Sequence, residues 1–245
     1  MKGQVVVVGG TKGLGKVITE RFLSQGQAVT VLSRTRPEGE LAYAHVPCNL
    51  ETLPDPAATA AAAVAANGPV RYLVFCQRYR GSGDPWDGEM QVTVNATRQL
   101  LQAFAPHFVH EGDRAVAVVS SVYAQFVGGS QPDGYHVAKA GLNALVKYKA
   151  WELGRQGIRV NAILPLSYLK PESQHHFLGN QQLVDLYQDF VPLGRVGYAA
   201  DSANLVEFLC SDKASFINGQ EIFVDGGVSV VWPEELARRM AGVDK

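Results

Sequence analysis

Cysteine is scarce in this chain of 245 residues, with three in all. Cys48, Cys76 and Cys210 are scattered. They have neither the spacing of a disulfide framework nor that of a metal-ligand set, which excludes a stapled secreted module and points to a reducing compartment. Neither sign of charge is in excess. A formal net charge of −1 gives no field that would draw nucleic acid or an anionic membrane surface. Long apolar runs are also missing; each falls well short of the ~20 residues that span a bilayer. The first strand-like run begins close to Met1, so no secretory leader is expected and the expected location is cytoplasmic. No repeat or low-complexity linker interrupts the chain. One domain over residues 1–245 is therefore expected, since chains of this size often fold as one α/β unit.

What the chain does have is concentrated at its start. Val5 to Val8 are four consecutive valines, the pattern of a strand buried on both faces. Gly9, Gly13 and Gly15 follow, and Leu14, Val17, Ile18 and Phe22 then recur at helical spacing. Strand, glycine turn and helix N-terminus together make an anion site, because backbone N–H groups and the positive end of the helix dipole face a phosphate. Glycine is required where a Cβ would block that approach or strain a positive φ. The motif in this context is far more specific than three glycines alone, for which a plain tight turn is the alternative.

Strand and helix patterns alternate from there to the end. Strands are predicted at Val5–Val8, Ala28–Leu32, Ala42–Val46, Tyr72–Cys76, Ala115–Ser120, Arg159–Leu164 and Glu221–Val224. Helices are predicted to start near Leu14, Ala57, Glu89, Tyr135, Gln181 and Ala200. This alternation predicts an α/β fold with a doubly wound, seven-stranded parallel sheet covered on both faces. Between the second and third strands about nine residues remain, including Pro37 and Gly39, too few for an ordinary crossover helix. Residues 166–197 form a long irregular segment leaving the carboxyl edge of the sheet, where ligands of such folds bind; a substrate lid is expected there. A tail, 228–245, carries a predicted helix at Glu234–Ala241.

The chemistry gathers around Tyr135 and Lys139. They are four apart and so share a helix face. An ammonium beside a phenol favours the phenolate, drawing the Tyr down from its reference near 10 and making it a usable acid or base. Ser120 and Ser121 end the preceding strand, putting a hydroxyl at the same edge. The bland alternatives are a strand-end cap for the serines and a solvated surface for the lysine.

Six pieces stand in a telling order: Gly9-x-x-x-Gly13-Leu-Gly15, Asn95, Ser121, Tyr135-x-x-x-Lys139, Asn161-x-x-x-Pro165 and Val224-Asp225-Gly226-Gly227. The chain thereby resembles the short-chain dehydrogenase/reductases of compact, single-domain type, similar to 3-ketoacyl-carrier-protein reductases, over essentially its whole length. The resemblance implies a Rossmann-type three-layer sandwich and hydride transfer between a nicotinamide cofactor and a carbonyl or secondary alcohol. It makes Tyr135 the proton donor, Ser121 the partner of the carbonyl oxygen and Lys139 the group that tunes Tyr135 and holds the ribose. Asn95 would hold a water linking Lys139 to solvent. The cofactor set implied is Gly9, Thr11, Lys12, Gly13, Leu14 and Gly15, then Ser33 and Arg34, Asn49 and Leu50, Cys76 and Gln77, with Tyr135, Lys139 and Pro165. Relatives pair through two long helices, here near Glu89–His110 and Tyr135–Arg155, and through the last strand, so a homotetramer or homodimer is expected.

NADP is expected over NAD. An acidic residue after the second strand would hydrogen-bond a ribose 2′-OH; here the strand ends in Leu32-Ser33-Arg34-Thr35-Arg36, and Lys12 lies in the glycine turn. Lys12 and Arg34 suit a phosphate dianion, although Glu38 and Glu40 follow. The partner is a small carbonyl or alcohol, with no nucleic acid, no membrane and no metal expected. His175 and His176 are read as lid residues, since adjacent histidines rarely face one ion. Tyr123, Gln125, Phe126, Trp86, His176 and Phe177 are the candidates for the substrate cleft.

The chain also departs from the family. Phe75-Cys76-Gln77-Arg78 stands where the family has Asn-Asn-Ala-Gly. Asn49 replaces an Asp, and Leu166 replaces a Gly, leaving Ser167 or backbone to meet the nicotinamide amide. Arg78 and Arg80 read in two ways: recognition of an anionic substrate, or pairing with Asp84, Asp87 or Glu89. The altered fourth-strand segment keeps open an alternative of another class, a catalytically silent dinucleotide-binding regulator or scaffold. An epimerase or dehydratase of the extended relatives would need a larger C-terminal domain than the stretch after Pro165 provides.

Overall fold

A computed structural model of the chain describes residues 3–172 and 174–243, with all their side chains except that of His176. β1 (Gln4–Val8) is buried throughout. Its alternate valines serve opposite faces, as the two-residue period of a strand dictates: Val5 and Val7 join one core cluster, Val6 and Val8 the other. β2 (Val29–Ser33), β3 (Ala44–Pro47), β4 (Val70–Phe75), β5 (Ala115–Val119) and β6 (Arg159–Pro165) follow. β7 (Tyr168–Leu169) and β8 (Gly197–Tyr198) pair only with each other, and β9 (Glu221–Val224) completes the main sheet.

The main sheet has seven strands in the order β3-β2-β1-β4-β5-β6-β9, each neighbouring pair parallel. The chain winds outward from β1 to β3, then returns to β4 and winds the other way. That reversal lies between β1 and β4, and the crevice outside their carboxyl ends is where an open sheet of this kind receives a ligand.

Helices cover both faces. α1 (Gly13–Ser24) lies on one, while α2 (Pro56–Asn67), α3 (Pro85–Glu89), α4 (Ala96–Phe104) and α5 (Asp133–Gly154) precede β6. α6 (Gln174–Leu178), α7 (Gln181–Phe190), α8 (Ala199–Leu209) and α9 (Pro233–Met240) follow it. Ile18 and Phe22 of α1 and Val206 and Leu209 of α8 pack with Val5, Val7, Val29 and Val74. Ala60, Leu100, Phe104, Leu142 and Val146 from α2, α4 and α5 pack with Val6, Val8, Leu73 and Val116. The result is the expected three-layer, doubly wound Rossmann-type sandwich.

Two local features differ from the sequence reading or sharpen it. No helix forms between β2 and β3, as the short connection requires. The long helix expected at Glu89–His110 is broken into α3, a π turn over Met90–Asn95, α4 and a 3-10 turn at Ala105–His107. Pro106, with no N–H to donate, ends the regular helix. The π turn inserts one residue into the repeat and so rotates the face that follows by about 100°. Among the described residues, no helix is long and apolar enough to cross a membrane.

Candidate active site

The chain leaves β1 through Gly9 and enters α1 at Gly13, with φ of +79° and +54° at these two residues, the left-handed region that favours glycine. At Gly15 a Cβ would stand 2.1 Å from the Gly9 carbonyl oxygen, so only glycine lets α1 start this close to the turn. The Gly13 amide, at the α1 N-terminus, donates to Glu172 Oε1 at 2.7 Å. That bond is the main cause holding the Glu172 carboxyl below its ordinary range. The turn thus already binds an anion, the chain's own carboxylate, which is the behaviour a phosphate cradle needs.

The turn opens into a cleft of about 1270 Å³ along the carboxyl edge of the sheet. This exceeds the roughly 300–1,000 Å³ of ordinary small-molecule pockets and leaves room for a dinucleotide with a substrate beside it. Gly9, Thr11, Lys12, Gly13, Leu14, Gly15, Ser33, Arg34, Asn49, Leu50, Cys76, Gln77, Ser121, Tyr135, Lys139 and Pro165 all line it. So do eight lysine and arginine side chains against three glutamates, in a chain whose net charge is −1. At the end of β2, Arg34 pairs with Glu51 at 2.6 Å, and Ser33 Oγ donates to Thr35 O while meeting His45 Nε2 at 2.8 Å. Asn49 Oδ1 accepts from the Glu51 amide at 3.2 Å.

Ser121 follows β5 and caps the short turn Val122–Ala124, its Oγ accepting from the Tyr123 amide at 3.2 Å. Tyr135 and Lys139 sit one turn apart in the first half of α5, and both are buried, at 8% and 3% exposed. Burial raises the Tyr135 phenol above its usual value; the Ser121 hydroxyl and the Arg78 charge pull it back, and Glu89 and Tyr123 oppose them. Burial also lowers the Lys139 ammonium, to about 8. Its Nζ donates to Val119 O at 3.0 Å and lies 5.6 Å from the Tyr135 ring centre. The expected net lowering of the phenol is therefore corrected: burial outweighs the cations beside it, of which Arg78 pulls the phenol down, and the net shift is upward. Arg78 Cζ stands 5.1 Å from the ring centre.

Asn95 stands apart. Its side chain is exposed, its amide donates to Gln91 at 3.4 Å, and it is not in the cleft wall. Asn95 is the last residue of the π turn, and its side chain faces outward there. Of the substrate-cleft candidates, Tyr123 lines the cleft. Gln125 and Phe126 turn toward β9, where they meet Glu221 and Phe223. The Trp86 backbone backs α3 against Gly134 at the start of α5, and Phe177 meets Tyr187 edge to face with ring centres 5.4 Å apart. His175 is exposed, and the side chain of His176 lies outside the described residues.

The sequence reading missed Gln131, Tyr168, Lys170 and Glu172, which also line the cleft. Burial raises Tyr168 above its ordinary value, with Cys76 and Tyr135 adding to the shift. The signal available in the sequence was position alone: a chain leaving the carboxyl end of β6 must pass over the crevice. Of the motif pieces outside the cleft, Asn161 ties β6 to the turn that leads into β9, through Ile217 O and the Gln220 amide. Asp225 caps the Gly226-Gly227 turn by accepting from the amides of Gly227 and Ser229.

Comparison with known proteins agrees with this geometry. A family model described as enoyl-(acyl carrier protein) reductase matches residues 8–229. The chain is 30% identical over 239 residues to human dehydrogenase/reductase SDR family member 2, mitochondrial, covering 90% of this chain and 84% of that protein. It is 29% identical over 246 residues to a probable 2,4-dienoyl-CoA reductase of Bacillus subtilis, covering 92% and 96%. The solved structure of Thermoplasma acidophilum aldohexose dehydrogenase is similar with a TM-score of 0.82 at 26% identity, covering 95% of this chain and 96% of that one. The chain belongs to the short-chain dehydrogenase/reductase family, oxidoreductases that transfer hydride between NAD(P) and CH–OH or C=O groups.

Proposed function

We propose that this protein is an NADP(H)-dependent oxidoreductase acting on a carbonyl or secondary alcohol, with Tyr135 as general acid/base. The observation that carries the reading is that Ser121, Tyr135 and Lys139 share one cleft with the glycine turn. In this reading Gly9 to Gly15 would hold the pyrophosphate. Lys12, Ser33 and Arg34 would hold the 2′-phosphate, and Asn49 and Leu50 the adenine. Cys76, Gln77, Lys139 and Pro165 would flank the nicotinamide riboside. The bound nicotinamide would supply the hydride in reduction and accept it in oxidation.

Tyr135 Oη gives its proton to the carbonyl oxygen as that oxygen takes on charge, and recovers it from the alcohol in the reverse direction. The phenol carries the proton at neutral pH, the form an acid needs, and Ser121 and Arg78 oppose the rise that burial imposes on it. Ser121 Oγ donates to the same oxygen, a fixed dipole aimed where charge develops. Lys139, held by Val119 O, fixes a positive charge beside the phenol ring. The Asn95 side chain is assigned no step. The segment 166–197 would cover the substrate.

The test is oxidation of NADPH and NADH against a panel of carbonyl compounds, with Tyr135→Phe beside wild type. Turnover that collapses in the variant supports the reading; turnover that survives it removes Tyr135 as the acid. A second reading, a dinucleotide-binding regulator without turnover, is favoured by Phe75-Cys76-Gln77-Arg78 and by the Glu172 carboxylate at the turn. Tight NADPH binding with no turnover on any carbonyl would favour it.

A homotetramer or homodimer in the cytoplasm completes the proposal. α5 presents Tyr148 and Trp151 to solvent, 57% and 63% exposed with rings 5.7 Å apart. Contiguous exposed aromatics of this kind mark interaction surfaces. A monomer at micromolar concentration in light scattering would overturn it.

A further inference from the structure

Arg78 occupies a position where the family carries glycine, and its guanidinium lies against the ring of the proposed acid, Cζ 5.1 Å from the centre. Its hydrogen-bond partner is neutral, Gln131 Oε1. Among the described residues no carboxylate comes within ion-pair distance of Arg78, Arg80 or Lys170. The acids that sequence proximity offers are engaged elsewhere or stand clear. Asp84 caps α3, accepting from the amides of Trp86 and Asp87. Glu89 is buried and accepts from Thr93 Oγ1 at 2.9 Å. Asp87 forms no ion pair.

All three cations line the cleft. After burial, Arg80 and Arg78 are the next causes that hold the Lys170 ammonium below its ordinary value, so the three sense one another's charge. The Glu172 carboxylate offsets part of the Lys170 charge without pairing with it; Arg78 and Arg80 have no such partner among the described residues, and an anion placed beside them relieves the repulsion that remains. A guanidinium offers two parallel N–H donors in a plane, which match the two oxygens of a carboxylate. The flat face of Tyr135 beside it favours a flat group.

We propose that Arg78, backed by Lys170 and Arg80, binds a carboxylate on the substrate, so that the protein acts on a short oxo acid or the matching hydroxy acid. The carboxylate lies within a few bonds of the reacting carbon, because Arg78 adjoins the ring whose hydroxyl meets that carbon's oxygen. This rests on Tyr135 as the acid/base.

The experiment uses the full chain with NADPH and matched sets of probes: short 2-oxo and 3-oxo acids, their methyl esters, and phosphorylated hydroxyketones. In wild type, kcat/KM for an acid exceeds that for its ester by about 100-fold, the worth of a charge-assisted bidentate pair. Arg78→Ala brings that ratio close to one, mainly through KM of the acid. Arg78→Lys recovers part of it, since the charge remains and the fork does not. Melting curves confirm that each variant is folded. Equal kcat/KM for acid and ester in wild type would overturn the proposal, as would an equal loss on both in Arg78→Ala. Preference for the phosphorylated ketones would replace carboxylate by phosphate and overturn it as stated. Calorimetry of the acids with the NADPH-bound protein separates it from the reading it rests on. If no carbonyl is turned over, the Tyr135 reading fails, while acid binding lost in Arg78→Ala still sustains the clamp. Acid binding that ignores Arg78→Ala removes the clamp whatever the turnover.

Discussion

Glu172 accepts a hydrogen bond from the Gly13 amide at 2.7 Å across 159 residues of sequence. A carboxylate there is stabilised by the positive end of α1. A dinucleotide pyrophosphate would need the same N–H. In the proposed cofactor placement, one anion site would therefore be contested by the ligand and by the chain itself.

Removing the competitor should tighten cofactor binding. Glu172→Gln or Glu172→Ala is expected to lower the Kd for NADPH about two- to fivefold, corresponding to about 0.5–1 kcal/mol of lost competition. Titration by cofactor fluorescence reads it directly. Weaker binding in both variants would show that Glu172 supports the turn instead of contesting it.

The charges at the end of β2 should select the cofactor. NADPH is expected to bind at least about tenfold more tightly than NADH, the worth of one or two charge-assisted bonds to a 2′-phosphate. Arg34→Ala should narrow the gap, and by less than a free arginine would, because Arg34 is already paired with Glu51. Matched titrations test this, and tighter binding of NADH would reverse the assignment.

Lys139 should leave a mark on the pH dependence of stability. Burial lowers its ammonium from 10.5 to about 8. Between those values the unfolded chain holds a proton that the folded chain has released, so this residue's contribution to stability rises with pH. Below about 8 both states are charged, and the cost of burying the ammonium is on the order of 3 kcal/mol. The Tyr135 phenol and the Cys76 thiol, both raised by burial, titrate in the opposite sense. The difference between wild type and Lys139→Met isolates the lysine. It should be flat below pH 8 and change steadily up to about pH 10.5 in denaturant unfolding. A difference that stays constant throughout would mean the ammonium is not desolvated.

The glycine turn should be intolerant at one position and only strained at another. In Gly15→Ala the new Cβ meets backbone, Gly9 O at 2.1 Å, which cannot rotate away. A loss above about 3 kcal/mol or failure to fold is expected. Gly13→Ala at φ +54° meets no backbone and should lose only about 1–2 kcal/mol. Thermal unfolding of the two variants ranks them; the reverse order would contradict the packing described.

At the opposite, amino-terminal edge of the sheet, Arg159 donates to Asp113 Oδ1 at 2.8 Å and to the carbonyls of Leu209 and Ser211. Asp113 also accepts from the Tyr72 hydroxyl. Removing one partner leaves a charge in a buried setting, so Asp113→Ala should cost about 3–5 kcal/mol. Urea unfolding would show it as a shifted midpoint with an unchanged slope.

The five central strands were readable because each is a short, mostly apolar run buried on both faces; the edge strands β3 and β9 are only partly buried, and predicted and observed strand bounds differ by at most two residues. The glycine turn, Ser121, Tyr135 and Lys139 were readable because strand ends and i, i+4 spacing fix where side chains point. The π turn was not readable: nothing in Met90-Gln-Val-Thr-Val-Asn95 announces an inserted residue, and Asn95, at its end, faces outward. Nor was the placement of Tyr168, Lys170 and Glu172 readable, because residues 166–197 have no period from which a direction can be taken. Arg78 was visible as an anomaly, and its surroundings only became known through Gln131 and Tyr135, far away in sequence.

β7 and β8 join Tyr168–Leu169 to Gly197–Tyr198 by backbone pairing. The two ends of the excursion over the cleft are thereby stapled together at its base. The stretch between them is tied down again by Glu172 at Gly13 and by Leu193 at Gly226; the part around α6 and α7 can change length or composition at little entropic cost, while the staple keeps Tyr168 at the crevice. On the proposed reading, in which this segment covers the substrate, the part around α6 and α7 is a cassette, exchangeable to retune what the cleft admits without disturbing the sheet beneath it.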